Sequence, residues 1–253
     1  MNNSKVIRGL YTSSSGMKLN SHEQEVLSDN LANINTDGFK ASKNSYRSYA
    51  NQIVSGDNGK ALGVLNKGAV NHSTSFDFSQ GPLRVTDNPL DIAIQGDGFF
   101  AVQTPSGQTM YTRNGHFLLD GNGFVVNMHG DKLLDYGKSP ILINNLTATD
   151  VTVKDDGSFI VNGDYTTQIG AFTLPNGTGV TKQGGDKYSL SNSLDAPQAP
   201  GIRFHQGFLE SSNVNSIKMT TDMIKTMRNF ESNQQAVSAQ ADTLRMLIDV
   251  GRI

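Results

Sequence analysis

Cysteine is absent from the 253 residues, and with it go disulfides, thiolate metal sites and a cysteine nucleophile. Tryptophan is absent too, and none of the 7 prolines precedes Pro82. No run of about 18 apolar residues occurs, so no membrane-spanning helix is expected. Charge is nearly balanced: 21 Lys and Arg against 23 Asp and Glu give a net charge of -2, with a pI of 6.2. Bulk electrostatics therefore makes no case for nucleic acid or an anionic membrane. Residues 1–17 contain no continuous apolar segment and no convincing cleavage site, so a cleaved secretory signal is not expected.

Clusters able to carry chemistry are equally scarce. The histidines, His22, His72, His116, His129 and His205, are scattered, with no pair at the spacing of a helical zinc site. The acidic group Asp87, Asp91 and Asp97 is the best candidate for paired carboxylates of the glycosidase kind. Against it, Asp91 alternates with Leu90 and Ile92 and faces away from that stripe, while Asp97 sits in a Gly-Asp-Gly turn. Asp120-Gly121-Asn122-Gly123 lacks the ligand spacing and closing Glu of a calcium loop. Gly96-Asp97-Gly98 precedes no helix that would cradle a phosphate. Ser13-Ser14-Ser15-Gly16 falls inside a helical pattern rather than at a nucleophile elbow. No catalytic, cofactor-binding or metal-binding residue is expected.

Glycine, in contrast, is plentiful at 26 residues. Asn-Gly and Asp-Gly steps supply the positive φ of tight hairpin turns. They cluster at Asp97-Gly98, Asn114-Gly115, Asp120-Gly121, Asn122-Gly123, Asp156-Gly157, Asn162-Gly163 and Asn176-Gly177, with Asp37-Gly38 and Asn58-Gly59 as outliers. Short alternating apolar runs lie between them: Leu90/Ile92/Ile94, Phe99–Val102, Phe117–Leu119, Phe124–Val126, Ile141–Ile143, Val151–Val153, Phe159–Val161 and Ile169–Leu174. That spacing predicts an antiparallel meander or barrel-like sandwich over residues 76–205.

Both ends carry heptads. At the N-terminus the columns are Leu10, Met17, Gln24, Leu31 and Ser13, Asn20, Leu27, Ile34. At the C-terminus they are Met223, Phe230, Val237, Leu244 and Met227, Gln234, Ala241, Ile248. The expected fold is therefore α+β: a terminal helical assembly domain over 1–39 and 206–253, whose long helices, the second from roughly Ser216 to Asp249, pair as a coiled coil around an inserted antiparallel all-β domain. Residues 40–75, polar and without sustained period, are expected to form an extended connector. Two readings of the seams stand: a helical hairpin closed within one monomer, or helices that pair and then engage further copies of the chain. The first helix meets Asn30, Asn33 and Asn35 before stopping at Thr36-Asp37-Gly38-Phe39. With Gly38 as a left-handed C′ residue, Ile34 and Phe39 take the two apolar positions of a Schellman helix cap.

Several blocks together resemble a known family. Gly9-Leu10-Tyr11, Ser15-Gly16-Met17, Asn30-Leu31-Ala32-Asn33 and Thr36-Asp37-Gly38-Phe39-Lys40 lie at the start. Asn88-Pro89-Leu90-Asp91-Ile92-Ala93-Ile94, Gly96-Asp97-Gly98-Phe99-Phe100 and Tyr111-Thr112-Arg113-Asn114-Gly115 lie in the middle. Gly207-Phe208-Leu209-Glu210-Ser211-Ser212-Asn213-Val214-Asn215 precedes the last helix. In this order the blocks resemble the signatures of bacterial flagellar rod and hook proteins, and the resemblance spans the chain. Asn229-Phe230-Glu231 departs from the family's more usual Ala-Tyr-Glu.

The resemblance implies a structural subunit of the basal-body rod, without enzymatic activity or cofactor. Its terminal helices would stack into a rigid hollow tube that transmits torque and permits export, with the β domain outside. Implied partners are copies of itself and other rod and hook proteins, with ring or bushing proteins as further candidates. Passage to the cell envelope would run through the flagellar type III export apparatus, without a cleaved signal peptide. The candidate assembly interface is then Leu10, Met17, Gln24, Leu27, Asn30, Leu31, Asn33, Ile34, Met223, Met227, Phe230, Gln234, Val237, Leu244 and Ile248. Alternatives are a hook-type axial protein, a peptidoglycan-associated hydrolase using the Asp87 group, and a secreted β binding module.

Overall fold

A helix opens and closes the chain, and antiparallel strands fill the middle. In this computed structural model the described backbone comprises residues 3–48, 52–55, 61–65, 69–143, 151–175, 179–190 and 196–250, with side chains described over 9–47, 73–143, 151–175, 179–190 and 196–246. The steps Asn58-Gly59 and Asn176-Gly177, and the side chains of His72 and Ile248, lie outside the described residues. The fold is α+β, as expected.

The chain forms two compact units. The first contains residues 1–31, 42–75 and 216–253. Its helices are α1 (Asn3–Ala32) and α2 (Ser216–Val250). Neither contains proline, which would remove a backbone donor and break the ladder. The stretch expected as a bare connector instead carries four strands, β1 (Ser42–Ser48), β2 (Gln52–Ser55), β3 (Ala61–Leu65) and β4 (Ala69–Phe76). Strand β1 pairs with β4, and β2 with β3 in antiparallel register from Gln52↔Leu65.

The second unit contains residues 32–41 and 76–215. Its early strands are β5 (Leu83–Val85), β6 (Ile92–Gln95), β7 (Phe99–Gln103), β8 (Thr109–Thr112), β9 (Phe117–Leu119), β10 (Val125–Asn127) and β11 (Lys132–Leu133). There follow β12 (Val151–Val153), β13 (Ser158–Val161), β14 (Asp164–Gln168), β15 (Ala171–Phe172), β16 (Val180–Lys182), β17 (Lys187–Leu190), β18 (Arg203–Gln206) and β19 (Phe208–Glu210). The main sheet is eight-stranded, in the order β16-β17-β8-β7-β11-β10-β9, with β15 also on β7. A three-stranded meander β12-β13-β14 and the pairs β18-β6 and β19-β5 complete the unit.

Strand β7 shows why its sequence is an unbroken apolar run. Phe100 and Val102 enter one core with Ile92, Phe117, Phe159 and Phe204, while Phe99 and Ala101 enter a second with Tyr111, Phe172 and Tyr188. A strand covered on both faces has no polar side to alternate with. The turn at Asn162-Gly163 carries positive φ at both residues, 52° and 89°, as a type I′ hairpin between β13 and β14 demands.

Candidate assembly surface and junction

Within the first unit, α1 and α2 run antiparallel. A Cβ added to Gly9 would lie 2.5 Å from Gln240 Nε2, and one added to Gly16 would lie 3.0 Å from Asn233 Nδ2. Asn30 Nδ2 stands 3.9 Å from Met219 Sδ. A seven-residue advance from Gly9 to Gly16 is thus matched by a seven-residue retreat from Gln240 to Asn233. Glycine in a helix interior costs about 1 kcal/mol relative to alanine. Here it leaves room for an amide side chain from the facing helix.

The inward positions of α2 step by four and three: Met219, Met223, Thr226, Phe230, Asn233, Val237, Gln240 and Leu244 are all buried or half-buried. The column Met223/Phe230/Val237/Leu244 is where the heptads placed it. Its companion is not. Met227 and Gln234 are exposed, and the companion column runs one residue earlier through Met219, Thr226, Asn233 and Gln240. On α1 the matching residues are Gly9, Gly16 and Asn30, again one before Leu10, Met17 and Leu31. Leu10, Met17 and Leu31 are themselves half-buried, so on α1 the small and polar residues adjoin the heptad column rather than replace it.

The remaining expected interface residues divide by exposure. Leu10, Met17, Gln24, Leu31, Asn33 and Ile34 are half-buried, and Leu27 is buried. Asn30 is 1% exposed and engaged inside the chain: Nδ2 donates to Ser42 O at 2.8 Å, and Ser42 N donates to Oδ1 at 2.8 Å. Its amide copies the paired bonds of a strand neighbour and holds the start of β1 against α1. Asn33 Oδ1 accepts from Thr36 Oγ1 at 3.2 Å, inside the turn that follows the helix. Outside the seam, Tyr11, Ile217, Ile224, Met227 and Met246 are 51% to 78% exposed.

A groove of about 550 Å³ in the same unit is lined by Leu19, Asn20, Glu23, Tyr46, Asp222, Lys225, Thr226 and Asn229. Glu23 Oε2 accepts from Asn44 Nδ2 at 3.0 Å and from the Tyr46 hydroxyl. Burial first, and then the bond to Glu23, pushes the Tyr46 phenol up to about 12.

The expected helix cap is not what Gly38 and Phe39 form. Helix α1 stops at Ala32; Thr36 N donates to Asn33 O, Phe39 N to Thr36 O, and Gly38 N to Glu210 O at 2.6 Å. A Schellman cap would return those last two N–H groups to the helix. Gly38 instead occupies the positive-φ third place of a turn, with φ 73°, because β19 offers its donor a better acceptor.

That turn belongs to a junction the sequence reading missed. Lys40, Arg113 and Glu210 have side chains no more than 1% exposed. Glu210 Oε1 accepts from Lys40 Nζ and from Gly81 N at 2.7 Å; Oε2 accepts from Arg113 Nη1 at 3.0 Å. Lys40 Nζ also donates to Ser79 O at 2.7 Å, and Arg113 to the carbonyls of Ile94 and Gly96. Burial pulls both cations below their ordinary pKa, and the charge of Glu210 pulls each back up. Asn213 bridges alongside: Oδ1 accepts from Ala41 N, and Nδ2 donates to the carbonyls of Asp77 and Ser79. A signal was present. Glu210 and Arg113 are single charges inside otherwise uncharged runs, GFLESSNVN and TMYTRNG.

The Asp87 group does not build an acid–base pair. Asp91, 5% exposed at its side chain, lies 2.7 Å from His116 Nδ1 and accepts from Asn88 Nδ2 at 3.1 Å. Asp87 takes a left-handed φ of 56°, and Asp97 acts on Arg113 through its charge. Among the described residues, no three His, Asp or Glu side chains converge as a metal ion would need. No helix among them is long and apolar enough to cross a membrane.

Comparison with known proteins follows the same blocks. A family model for the flagella basal body rod protein matches residues 10–40. One for the flagellar hook protein FlgE/F/G D1 domain matches 93–161, and one for the flagellar basal body rod FlgEFG protein C-terminal matches 205–250. The flagellar basal-body rod protein FlgG of Bacillus subtilis (strain 168) is 33% identical over 268 residues, spanning 98% of this chain and 100% of that protein. FlgG of Buchnera aphidicola subsp. Acyrthosiphon pisum (strain APS) is 30% identical, over 96% of this chain and 99% of its own. The flagellar basal-body rod protein FlgF of Escherichia coli (strain K12) is 32% identical, over 92% and 94%.

Proposed function

The chain belongs to the flagellar basal-body rod protein family, a family of structural proteins and not enzymes, and from that premise we propose how it assembles. It is a structural subunit of the rod. The helices α1 and α2 pair as an antiparallel coiled coil, and their outer faces bind copies of the chain and other axial proteins in a hollow, torque-transmitting tube. The observation that carries this reading is the row of exposed apolar side chains on α2 outside the intrachain seam, Ile217, Ile224 and Met227. Apolar groups repeated along one helix face mark a surface that something covers. Tube growth needs contacts between unlike surfaces that do not close into a ring.

The polar seam fits the same reading. Amides set into glycine sites specify register at the expense of stability, so the pair holds one alignment without a tight apolar core. Residues 42–75 serve as a strap between subunits. Export as an unfolded chain through the type III apparatus delivers the subunit to the periplasmic part of the basal body. Ring or bushing proteins contact its outer surface.

The test is the double variant Ile224→Asp/Met227→Asp. Its circular dichroism should match that of the native chain, while electron microscopy of concentrated samples should show filaments for the native protein alone. Undiminished polymer in the variant removes the outer-face proposal. A strain lacking the chain that still completes a rod would sink the rod reading itself.

A further inference from the structure

We infer that Glu210 is a latch: residues 37–41, 79–85 and 207–213 open and close together as one cooperative unit, separately from the main sheet, and its carboxylate holds them shut. Glu210 reaches Lys40, Gly81 and Arg113 across sequence separations of 170, 129 and 97 residues. No other contact at this junction joins so many distant segments through one side chain. The backbone around it belongs to a separate ladder. Strands β19 and β5 pair over three residues, Phe208↔Val85 to Glu210↔Leu83, and form their own two-stranded sheet outside the eight-stranded one.

The two cations have different roles. Arg113 follows β8 in the main sheet and is held by the carbonyls of Ile94 and Gly96 whether or not Glu210 is present. It is the fixed post. Lys40 lies near the end of the short segment 32–41, and its bonds run to Glu210 and Ser79, both within the latch. It is the moving bolt. Asn213 and the turn at Gly38 complete the closure, through Ala41 N to Asn213 Oδ1 and Gly38 N to Glu210 O. Closed, the site holds two cations and one anion whose side chains are no more than 1% exposed. Removing the anion leaves two buried like charges, which drives the junction open rather than merely loosening it.

Residues 37–41 precede the chain's return to the first unit at Ser42, and 207–213 precede its return there at Ser216, so opening frees both segments at once. The latch is a property of the isolated chain and holds whatever the chain assembles into. Under the export reading it has one consequence: the unit completes only after residue 210 has arrived.

Hydrogen exchange on the full chain tests this with Glu210→Gln and with Glu210→Gln/Lys40→Met. In the single variant, amides of residues 38–41, 81–85 and 208–213 should exchange together, on the order of a hundredfold faster than in the native chain. Amides of β7 and β10 should stay within about threefold of native. The double variant removes one cation with the anion and should recover about tenfold of the lost protection, since the two substitutions are coupled. The inference is overturned if the junction exchanges at its native rate in Glu210→Gln. It is equally overturned if junction and main sheet accelerate together, failure to fold included, or if the double variant protects no better than the single.

Discussion

Replacing Gly38 and Gly107 by alanine separates two costs that usually arrive together. Both glycines take left-handed backbone, with φ 73° and 84°. Around Gly107 an added Cβ meets nothing within 4 Å, whereas at Gly38 it would lie 2.2 Å from Asn114 N and 2.3 Å from Arg113 C. A non-glycine residue in that conformation costs about 1–2 kcal/mol, offset by about 0.4–1 kcal/mol from the stiffer unfolded chain. Gly107→Ala should therefore destabilise by about 1 kcal/mol or less. Gly38→Ala carries the same net term plus overpacking against backbone, which cannot swing aside, for a total of about 3 kcal/mol. The displaced segment after β8 also carries Arg113, so the 3.0 Å contact to Glu210 stretches with it. The chain lacks tryptophan, and the buried Tyr111 and Tyr188 report on this unit by near-ultraviolet circular dichroism. With a urea dependence of about 2–3 kcal/mol per molar, Gly38→Ala should lower the midpoint by about 1 M and Gly107→Ala by less than about 0.5 M. Equal shifts would show that the close approach at Gly38 contributes nothing and refute the reasoning.

Legibility in the sequence followed hydrophobic pattern. The terminal helices, the run Phe99–Val102 and the hairpin at Asn162-Gly163 could all be read, because apolar period or obligatory positive φ is local information. Asn114-Gly115 looked like the same kind of turn and is not one. Gly115 has no positive φ; it lacks a side chain because one would stand 1.7 Å from Ile92 O, a neighbour 23 positions earlier in the chain. The same limit hid the helix seam. Gly9, Gly16, Asn233 and Gln240 give no apolar signal, so the heptad columns did not include them. It hid the junction most completely. Lys40, Arg113 and Glu210 are meaningful only together, and a lone charge in an uncharged run states that a counter-charge exists without saying where. The apparent helix cap failed for a related reason: Gly38 satisfies every local rule for C′, and a distant carbonyl on Glu210 outcompetes the helix for its N–H.

Tyr46 should hold its proton until about pH 12, so its contribution to stability is present below pH 10 and lost as pH rises through 12. Absorbance titration at alkaline pH reads this directly, and Tyr46→Phe should remove the late-titrating phenol; a phenol titrating in the ordinary range would count against the Glu23 contact. Asn30→Ala removes the side-chain bonds to the Ser42 N–H and C=O in a buried site, and should cost about 2–4 kcal/mol in the helical unit. Asn30→Asp makes a sharper prediction. One carboxylate oxygen still accepts from Ser42 N, but the other would face Ser42 O at the 2.8 Å now spanned by an N–H. Only a protonated carboxyl can donate there, so folding raises the pKa of the new group above its unfolded value of about 3.9. A raised acid stabilises below the unfolded pKa and loses that stability as pH rises. Relative to the native chain at each pH, Asn30→Asp should be nearly neutral at about pH 3.5 and destabilised by about 3 kcal/mol at pH 7. Urea midpoints of the two proteins compared at both pH values decide it. A difference that does not change between them would mean that Asn30 does not donate to Ser42, and that the start of β1 is held against α1 by something other than this amide.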